Sequence, residues 1–224
     1  MDTSGTFVTS SPRRKRRSQD ERTADTRRRL FDATVSLVSE IGYAQTSTSK
    51  IVTRAGVSRG ALQHHFAEKN DLMCAAVEDV LERYAAGVSR HSDPGKSIRE
   101  RVQEAVHASW EWSSSNEYVA VIEILSSNRS DPVMTQRLQH SFNICSRIFD
   151  NMWISMFTDF RVSEDKLSLL RGMVASTLFG YSFRQKLFSR VNIGKTEIDA
   201  LCEAVTILIV SWSAKGDLNS SSTT

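Results

Sequence analysis

Residues 46–69, TSTSKIVTRAGVSRGALQHHFAEK, have the start and stop signals of two short helices joined by a tight turn. Ser47 can cap the first helix, because its hydroxyl accepts one of the unpaired N–H groups of the first turn. That helix runs to about Ala55, and Gly56 can end it because glycine reaches a left-handed backbone conformation at little cost. Ser58 can cap a second helix only three residues later. So short a connection forces the two helices to cross steeply, as in a helix-turn-helix.

The apolar positions of this stretch predict a small core shared by the two helices. They are Ile51, Ala55, Val57, Leu62 and Phe66. The outer face of the second helix is left with Arg59, Gly60, Gln63 and His64. Arg and Gln can each make two hydrogen bonds to one base edge, Arg best to guanine and Gln best to adenine. This face predicts DNA binding, and a plain helical hairpin with a polar outer face is the alternative.

Together with the preceding helix that ends in IGY, this stretch resembles the N-terminal DNA-binding domain of the TetR family of transcriptional regulators. The resemblance covers residues 23–80, and its most specific parts are Ile51, Ala55, Gly56, Val57, Ser58, Gly60, Leu62, His65, Phe66, Lys69 and Leu72. It implies an all-α fold, with an N-terminal three-helix DNA-binding domain that contains the helix-turn-helix. A C-terminal helical domain for ligand binding and dimerisation would follow.

A few positions depart from the usual pattern of that family. Gln63 and His64 occupy places where an aromatic pair is common, so the base preference cannot be carried over from the family. Glu68 replaces a frequent Ser, and we therefore expect the next helix to lack its usual cap. Thr48 stands where a hydrophobic residue is common.

Two sets of residues are the candidate DNA contacts. Arg59, Gln63 and His64 are expected to reach base edges, and Gly60 to let the helix lie close to the groove. Expected phosphate contacts are Ser47, Lys50, Ser58 and Lys69. Ser47 and Ser58 would lie at helix N-termini, where backbone N–H groups favour anions. A merely solvated Lys50 is the alternative.

The charge of the chain is concentrated at its front. Residues 13–69 contain 13 Lys and Arg against 6 Asp and Glu, a net charge of +7 in a chain whose total is +3. The rest therefore carries −4, which suggests that only the front meets a polyanion. The chain has 224 residues, 40% of them hydrophobic, and only three prolines. It has no sustained alternating pattern of β-branched residues, which favours an all-helical fold.

Several other classes of protein are disfavoured by the sequence. Cys74, Cys145 and Cys202 are far apart and odd in number, so they predict reduced thiols, with neither a disulfide framework nor metal-ligand spacing. No apolar run approaches the ~20 residues of a membrane helix, and the start lacks the apolar core of a signal peptide. We therefore expect a cytoplasmic protein. Without a phosphate loop, a nucleophile motif or spaced metal ligands, we expect no enzyme activity, no metal and no cofactor.

The sequence divides into four predicted segments. Residues 1–18 include the basic run SSPRRKRRS and are expected to be a disordered arm that contacts DNA, with a solvated tail as the alternative. Residues 19–70 form the helix-turn-helix domain, 71–213 the ligand-binding and dimerisation domain, and 214–224 a disordered tail. Helices are predicted at 23–41, 69–91, 96–112, 116–128, 132–158, 164–189 and 196–213, besides the two of the helix-turn-helix.

Aromatic residues recur at helical spacing in the middle of the chain and predict an apolar pocket between helices. The aromatic and apolar candidates are Trp110, Trp112, Tyr118, Ile122, Phe142, Phe149, Trp153 and Phe157, and the polar ones are His107, Glu111, Asn143 and Arg147. The preferred ligand contacts are His107, Trp110, Glu111, Phe142, Phe149 and Trp153. They suggest an apolar or aromatic small-molecule effector, with plain core packing as the alternative.

The last two long helices are apolar on more than one face. The apolar positions are Leu167, Leu170, Val174, Leu178 and Tyr181 in the first, and Ile198, Leu201, Val205, Ile207, Leu208, Ile209, Val210 and Trp212 in the second. Helices that are apolar on several faces are expected to be buried on several sides. A second copy of the chain would provide this burial, so we expect a homodimer through these helices. A dimer would present two recognition helices to palindromic DNA. The chain is thus expected to be a ligand-responsive repressor. A transcriptional activator and a helical protein-binding adaptor are the alternatives.

Overall fold

The computed structural model describes residues 18–87, 95–188 and 193–220, with side chains to Ala214 in the last range. Within these ranges every regular element is a helix, as the sequence predicts. The α-helices are α1 (Gln19–Ile41), α2 (Thr48–Ala55), α3 (Arg59–His65), α4 (Lys69–Gly87), α5 (Ile98–Ser113), α6 (Asn116–Ser127), α7 (Pro132–Phe157), α8 (Glu164–Leu187) and α9 (Lys195–Ser220). A 3-10 turn, Thr158–Phe160, follows α7.

Two predicted helix boundaries were wrong. Helix α1 begins at Gln19 instead of Thr23, because Ser18 and Glu21 form a capping box. The Ser18 hydroxyl accepts from the Glu21 N–H at 3.1 Å, and the Glu21 carboxylate accepts from the Ser18 N–H at 2.8 Å. Helix α9 continues to Ser220, so the tail predicted from residue 214 is helical over most of its length. The predicted basic arm, except Ser18, lies outside the described residues.

The local signals of the helix-turn-helix are confirmed. The Ser47 hydroxyl accepts from the Lys50 N–H at 3.3 Å, and the Ser58 hydroxyl accepts from the Ala61 N–H at 3.1 Å. Gly56 ends α2 in the left-handed region, with φ 59° and ψ 40°. The five apolar positions predicted to form the shared core are buried, except Val57, which is half-buried and packs against it.

Gly56→Ala is expected to lower the free energy of unfolding by about 1–2 kcal/mol, the cost of a left-handed conformation for a residue with a Cβ. The added Cβ would also lie 2.8 Å from Nη2 of Arg29, which donates a 2.8 Å hydrogen bond to the Gly56 carbonyl. Urea unfolding followed by circular dichroism measures the change. The matched control is Gly60→Ala, whose Cβ meets its nearest atom at 3.9 Å and should not destabilise the fold. Equal stabilities of the two variants would contradict this account of the turn.

Two hydrophobic cores lie along the molecule. The first joins α1–α4 with α6 and the N-terminal part of α7, and the second joins α5, the end of α7, α8 and α9. The predicted domain boundary at residue 70 falls within the first core, next to the start of the continuous helix α4. Helices α1 and α4, which flank the helix-turn-helix, therefore pack directly on α6 and α7, which also contribute to the rest of the protein.

The N-terminus of α4 is capped in an unexpected way. Because Glu68 replaces the usual Ser, the sequence predicts an uncapped helix. The carboxylate of Asp71 instead accepts a 3.2 Å hydrogen bond from the Glu68 N–H. Further along α4, Glu78 accepts two 2.7 Å hydrogen bonds from Arg137 of α7. Helix α4 is thus fixed at its start and along its length.

Candidate nucleic-acid interface and ligand cavity

The outer face of α3 is open to solvent. Arg59, Gln63 and His64 are exposed, and among the described residues the side chains of Arg59 and Gln63 have no hydrogen-bond or ion-pair partner. His65 turns inward instead and packs against Phe66, with ring centroids 6.2 Å apart. Burial and the nearby charges of His64 and Arg27 lower the pKa of His65. The exposed face of α3 therefore carries polar side chains without partners among the described residues. They surround Gly60, where no side chain covers the helix backbone.

The candidate phosphate contacts lie in different surroundings. The hydroxyls of Ser47 and Ser58 each accept a hydrogen bond from a backbone N–H of the helix that they cap. The Ser47 hydroxyl also lies 2.8 Å from the Ser49 hydroxyl. The Lys50 ammonium is exposed and donates to the Gln45 carbonyl at 3.0 Å. An ammonium has three donors, so this bond leaves Lys50 free to make others.

Much of the positive charge predicted for the front of the chain has a structural role. The Arg54 guanidinium pairs with both Glu40 carboxylate oxygens at 2.9 Å and lowers the pKa of Glu40 to about 2. Arg28 pairs with Asp32, while Arg27 lies over two aromatic rings of the first core. Net charge by itself therefore overstates the number of cationic side chains that are available to contact DNA.

Lys69, which is predicted to contact phosphate, also makes contacts within the protein. Its ammonium donates to the Tyr43 carbonyl at 3.1 Å and lies 4.0 Å from the centroid of the Tyr43 ring. Burial lowers the pKa of Lys69. The side chain therefore holds the start of α4 against the loop between α1 and α2, whatever further donor it presents outward.

Tyr43 connects the helix-turn-helix to the rest of the protein. Its hydroxyl lies 2.9 Å from the side-chain oxygens of both Asn70 and Asn128, to one of which it can donate at a time. Its N–H donates to the Glu123 carboxylate of α6 at 3.2 Å. Asn70 in turn donates to Asp131, the residue that caps α7, at 3.4 Å. Polar contacts therefore link the ends of α1, α4, α6 and α7.

A cavity of about 110 Å³, open to solvent on one side, lies between α4, α5, α6, α7 and α8. Its lining residues are Leu81, Tyr84, Ser109, Trp112, Ser113, Tyr118, Phe142, Cys145, Ser146, Phe149, Trp153, Arg171, Val174 and Ala175. The Tyr84 and Trp112 rings stack with centroids 3.8 Å apart and planes 10° apart. The ring centroids of Phe149 and Tyr84 are 4.7 Å apart, and those of Tyr118 and Trp112 are 5.6 Å apart. The cavity has the apolar and aromatic walls typical of a small-molecule site.

Half of the preferred ligand contacts line this cavity. Phe142, Phe149 and Trp153 do so, whereas His107, Trp110 and Glu111 do not. The reason is the 100° step of a helix: α5 presents positions 109, 112 and 113 to the cavity, which turns positions 107, 110 and 111 away. Trp110 packs against the second core instead.

Tyr84 and Arg171 are lining residues that the sequence analysis missed. Both come from helices to which the sequence assigned other roles, α4 as a linker and α8 as a dimer helix. A usable signal was present for Arg171, since it interrupts the apolar stretch of α8 between Leu170 and Val174. A charged side chain inside such a stretch needs a partner or a ligand.

Helix α8 exposes an apolar seam, defined here as Leu169, Met173, Ser176, Gly180, Phe183 and Leu187. These residues follow one another at alternating steps of four and three, the spacing of paired helices. Leu169 is 61% exposed and Phe183 is 51% exposed. On α9, Ile207 and Val210 are exposed too, as expected of a second apolar face. The other predicted apolar positions of α8 face the core of their own chain.

Within the described ranges, no three or more His, Cys, Asp or Glu side chains are grouped to hold a metal ion. The three cysteines are free and buried, and burial raises the pKa of the Cys74 and Cys145 thiols to about 11. Over the same ranges, none of the helices combines the length and apolar character needed to cross a membrane.

Comparisons with known proteins agree with this architecture. Residues 30–76 match the family described as bacterial regulatory proteins, tetR family. The HTH-type transcriptional regulator CymR of Pseudomonas putida is 24% identical over 194 residues, which cover 82% of this chain and 94% of CymR. A crystal structure of a transcriptional regulator from Rhodococcus sp. covers 83% of this chain and 96% of its own, with a TM-score of 0.65 at 17% identity.

A further structural neighbour is described as the transcriptional regulator FadR from Bacillus subtilis in complex with stearoyl-CoA. It covers 82% of this chain and 97% of its own, with a TM-score of 0.58 at 19% identity. The fold and the open face of α3 define a helix-turn-helix protein that binds DNA and regulates transcription. Residues 30–76 match the DNA-binding domain of the TetR family, and the whole chain is similar in sequence and fold to transcriptional regulators.

Proposed function

We propose that this regulator is a repressor that binds a palindromic operator as a homodimer and is controlled by a small molecule in the cavity. The observation that carries the proposal is the outer face of α3, where Arg59 and Gln63 are exposed and unengaged around a helix position without a side chain. Side chains at the exposed face of a recognition helix are the ones that reach base edges in the major groove.

The proposed base contacts are Arg59, Gln63 and His64. Ser47, Lys50, Ser58 and Lys69 are proposed to contact phosphates, for which Lys50 keeps unused donors next to its bond with the Gln45 carbonyl. Lys69 would combine this role with its contact to Tyr43. Phosphate contacts fix the orientation of the protein on DNA, whereas base contacts select the sequence.

The proposed dimer interface consists of the apolar seam of α8 and the exposed apolar residues of α9. Four helices, two from each chain, would bury the seam and place the two copies of α3 at a fixed separation. Support comes from the regular spacing of the seam and from Gly180, where an added Cβ would meet no atom within 4 Å. Small residues on an open face let the partner helix approach closely.

Helix α4 is the proposed connection between the cavity and DNA. It lines the cavity with Leu81 and Tyr84, and its first residue contacts the loop before the helix-turn-helix, about 22 Å away at 1.5 Å per residue. A ligand that binds better when α4 is tilted would shift both copies of α3 away from their half-sites. Tight binding to both conformations alike would change nothing.

Binding to the DNA immediately upstream of the protein's own coding region tests this proposal. Fluorescence anisotropy at two salt concentrations, with competitor DNA, should give a tight complex that weakens as salt rises, because bound phosphates release counterions. A footprint should contain two half-sites about one or two helical turns apart. Binding without sequence preference would contradict an operator at that place, and absence of binding at low salt would favour a protein-binding adaptor.

A further inference from the structure

The polar side chains that line the cavity include a cation but no anion, and this charge indicates which kind of ligand the cavity can bind. The lining includes one cationic side chain, Arg171, but no carboxylate and no side-chain amide among the described residues. Arg171 lies on α8 with its side chain 19% exposed. Its Nε donates to the Asp150 carboxylate, and its Nη2 donates to the Ser146 hydroxyl at 2.9 Å.

Part of the Arg171 guanidinium is unengaged. Nη1 has no hydrogen-bond partner within the described part of the chain, although a guanidinium carries five N–H donors. Asp150, its counter-ion, is not a lining residue, so the arginine faces the cavity and the carboxylate lies behind it. The ion pair therefore presents its positive end to a bound molecule.

The hydroxyls near the aromatic walls add further donors. Tyr84 and Tyr118 make no hydrogen bond through their hydroxyls to any described residue, and burial raises the pKa of Tyr118 to about 12. Both phenols therefore remain neutral and can donate. Ser109 and Ser113 direct their hydroxyl hydrogens to carbonyls of their own helix, at 2.7 and 2.8 Å. Unused donors thus dominate the polar part of the cavity.

We propose that the cavity binds an aromatic carboxylate, whose ring lies among Tyr84, Trp112 and Phe149 and whose carboxylate accepts hydrogen bonds from Arg171. Guanidinium groups match carboxylates in geometry and charge, and the bond is stronger away from bulk water. The aromatic walls provide offset stacking for a planar ring. This inference rests on the proposed function, in which the cavity holds the effector, and it adds the chemical class of that effector.

Three probes with the same ring system separate the possibilities: 2-naphthoate, the neutral 2-naphthamide and the cationic 2-naphthylmethylamine. Isothermal titration calorimetry on the full chain should show that naphthoate binds at least about tenfold more tightly than naphthamide, as expected for one charge-assisted hydrogen bond. Equal affinities of naphthoate and naphthamide would overturn the proposal. So would tightest binding of the amine, which would assign recognition to Asp150, or no binding of naphthoate.

Variants of the ion pair test the role of Arg171 directly. Arg171→Gln should reduce the naphthoate affinity by about 10- to 100-fold and leave the naphthamide affinity within a factor of about three. Asp150→Asn removes the competing anion and should tighten naphthoate binding. If the Arg171–Asp150 ion pair only supported the fold, both variants would bind naphthoate and naphthamide more weakly. The matched control is Arg147→Gln, an exposed position of α7 outside the lining, which should leave all three affinities unchanged.

The outcome can be separated from that of the proposed function by measuring operator binding with and without naphthoate. If operator binding is intact but naphthoate does not bind, the ligand class is wrong while DNA recognition stands. If naphthoate binds through Arg171 without changing the operator complex, the ligand class stands and the proposed control of DNA binding by the cavity fails.

Discussion

Phe183→Glu is expected to convert the proposed dimer to a monomer and to lower operator affinity by at least about 100-fold. Phe183 lies in the apolar seam and is 51% exposed in the single chain, so the monomer tolerates a charge there. In the dimer two carboxylates would be buried against apolar surface without partners. Once the chains separate, the second half-site no longer benefits from linkage to the first, which is worth about 10²–10⁴ in affinity.

Sedimentation equilibrium at micromolar concentration measures the change in mass, and fluorescence anisotropy measures operator binding. The matched control is Val133→Glu at the start of α7, where Val133 is 77% exposed and lies outside the seam. This control should remain dimeric and bind the operator normally. If Phe183→Glu remained a dimer, the interface proposed for α8 and α9 would be refuted.

Arg59→Ala is expected to lower operator affinity by about 1–3 kcal/mol and to relax the preference at one base pair of each half-site. Arg59 is exposed, has no partner among the described residues and precedes Gly60 at the start of α3. A bidentate contact to guanine accounts for both effects, because its loss removes affinity for one base more than for the others. Competition binding against operators substituted one position at a time measures this loss.

Arg99→Ala provides the control for charge, since Arg99 is exposed on α5, outside the helix-turn-helix. It removes the same charge and should leave the base preference unchanged. An equal loss by Arg59→Ala on every operator variant, with a smaller salt dependence, would instead assign Arg59 to phosphate. The fold should survive the substitution, because the Arg59 side chain is exposed and has no hydrogen-bond or ion-pair partner among the described residues.

The sequence determined the helix-turn-helix because its signals are local. The capping hydroxyls of Ser47 and Ser58 and the left-handed Gly56 each act within four residues, and the structure shows all three. The apolar spacing of the same stretch identified its core for the same reason. One local signal was overlooked: the pair Ser18 and Glu21 starts α1 four residues earlier than predicted.

Tertiary structure decided the cavity and the open face of α8. Phe142, Phe149 and Trp153, which the aromatic spacing singled out, line the cavity, but only helix packing determined that α5 turns Trp112 toward it and Trp110 away from it. Likewise, α8 is apolar on more than one face in sequence. Which face of α8 stays exposed depends on where α5 and α7 pack against it. The spacing of apolar residues within one helix shows which faces can be buried, but not where the neighbouring helices lie.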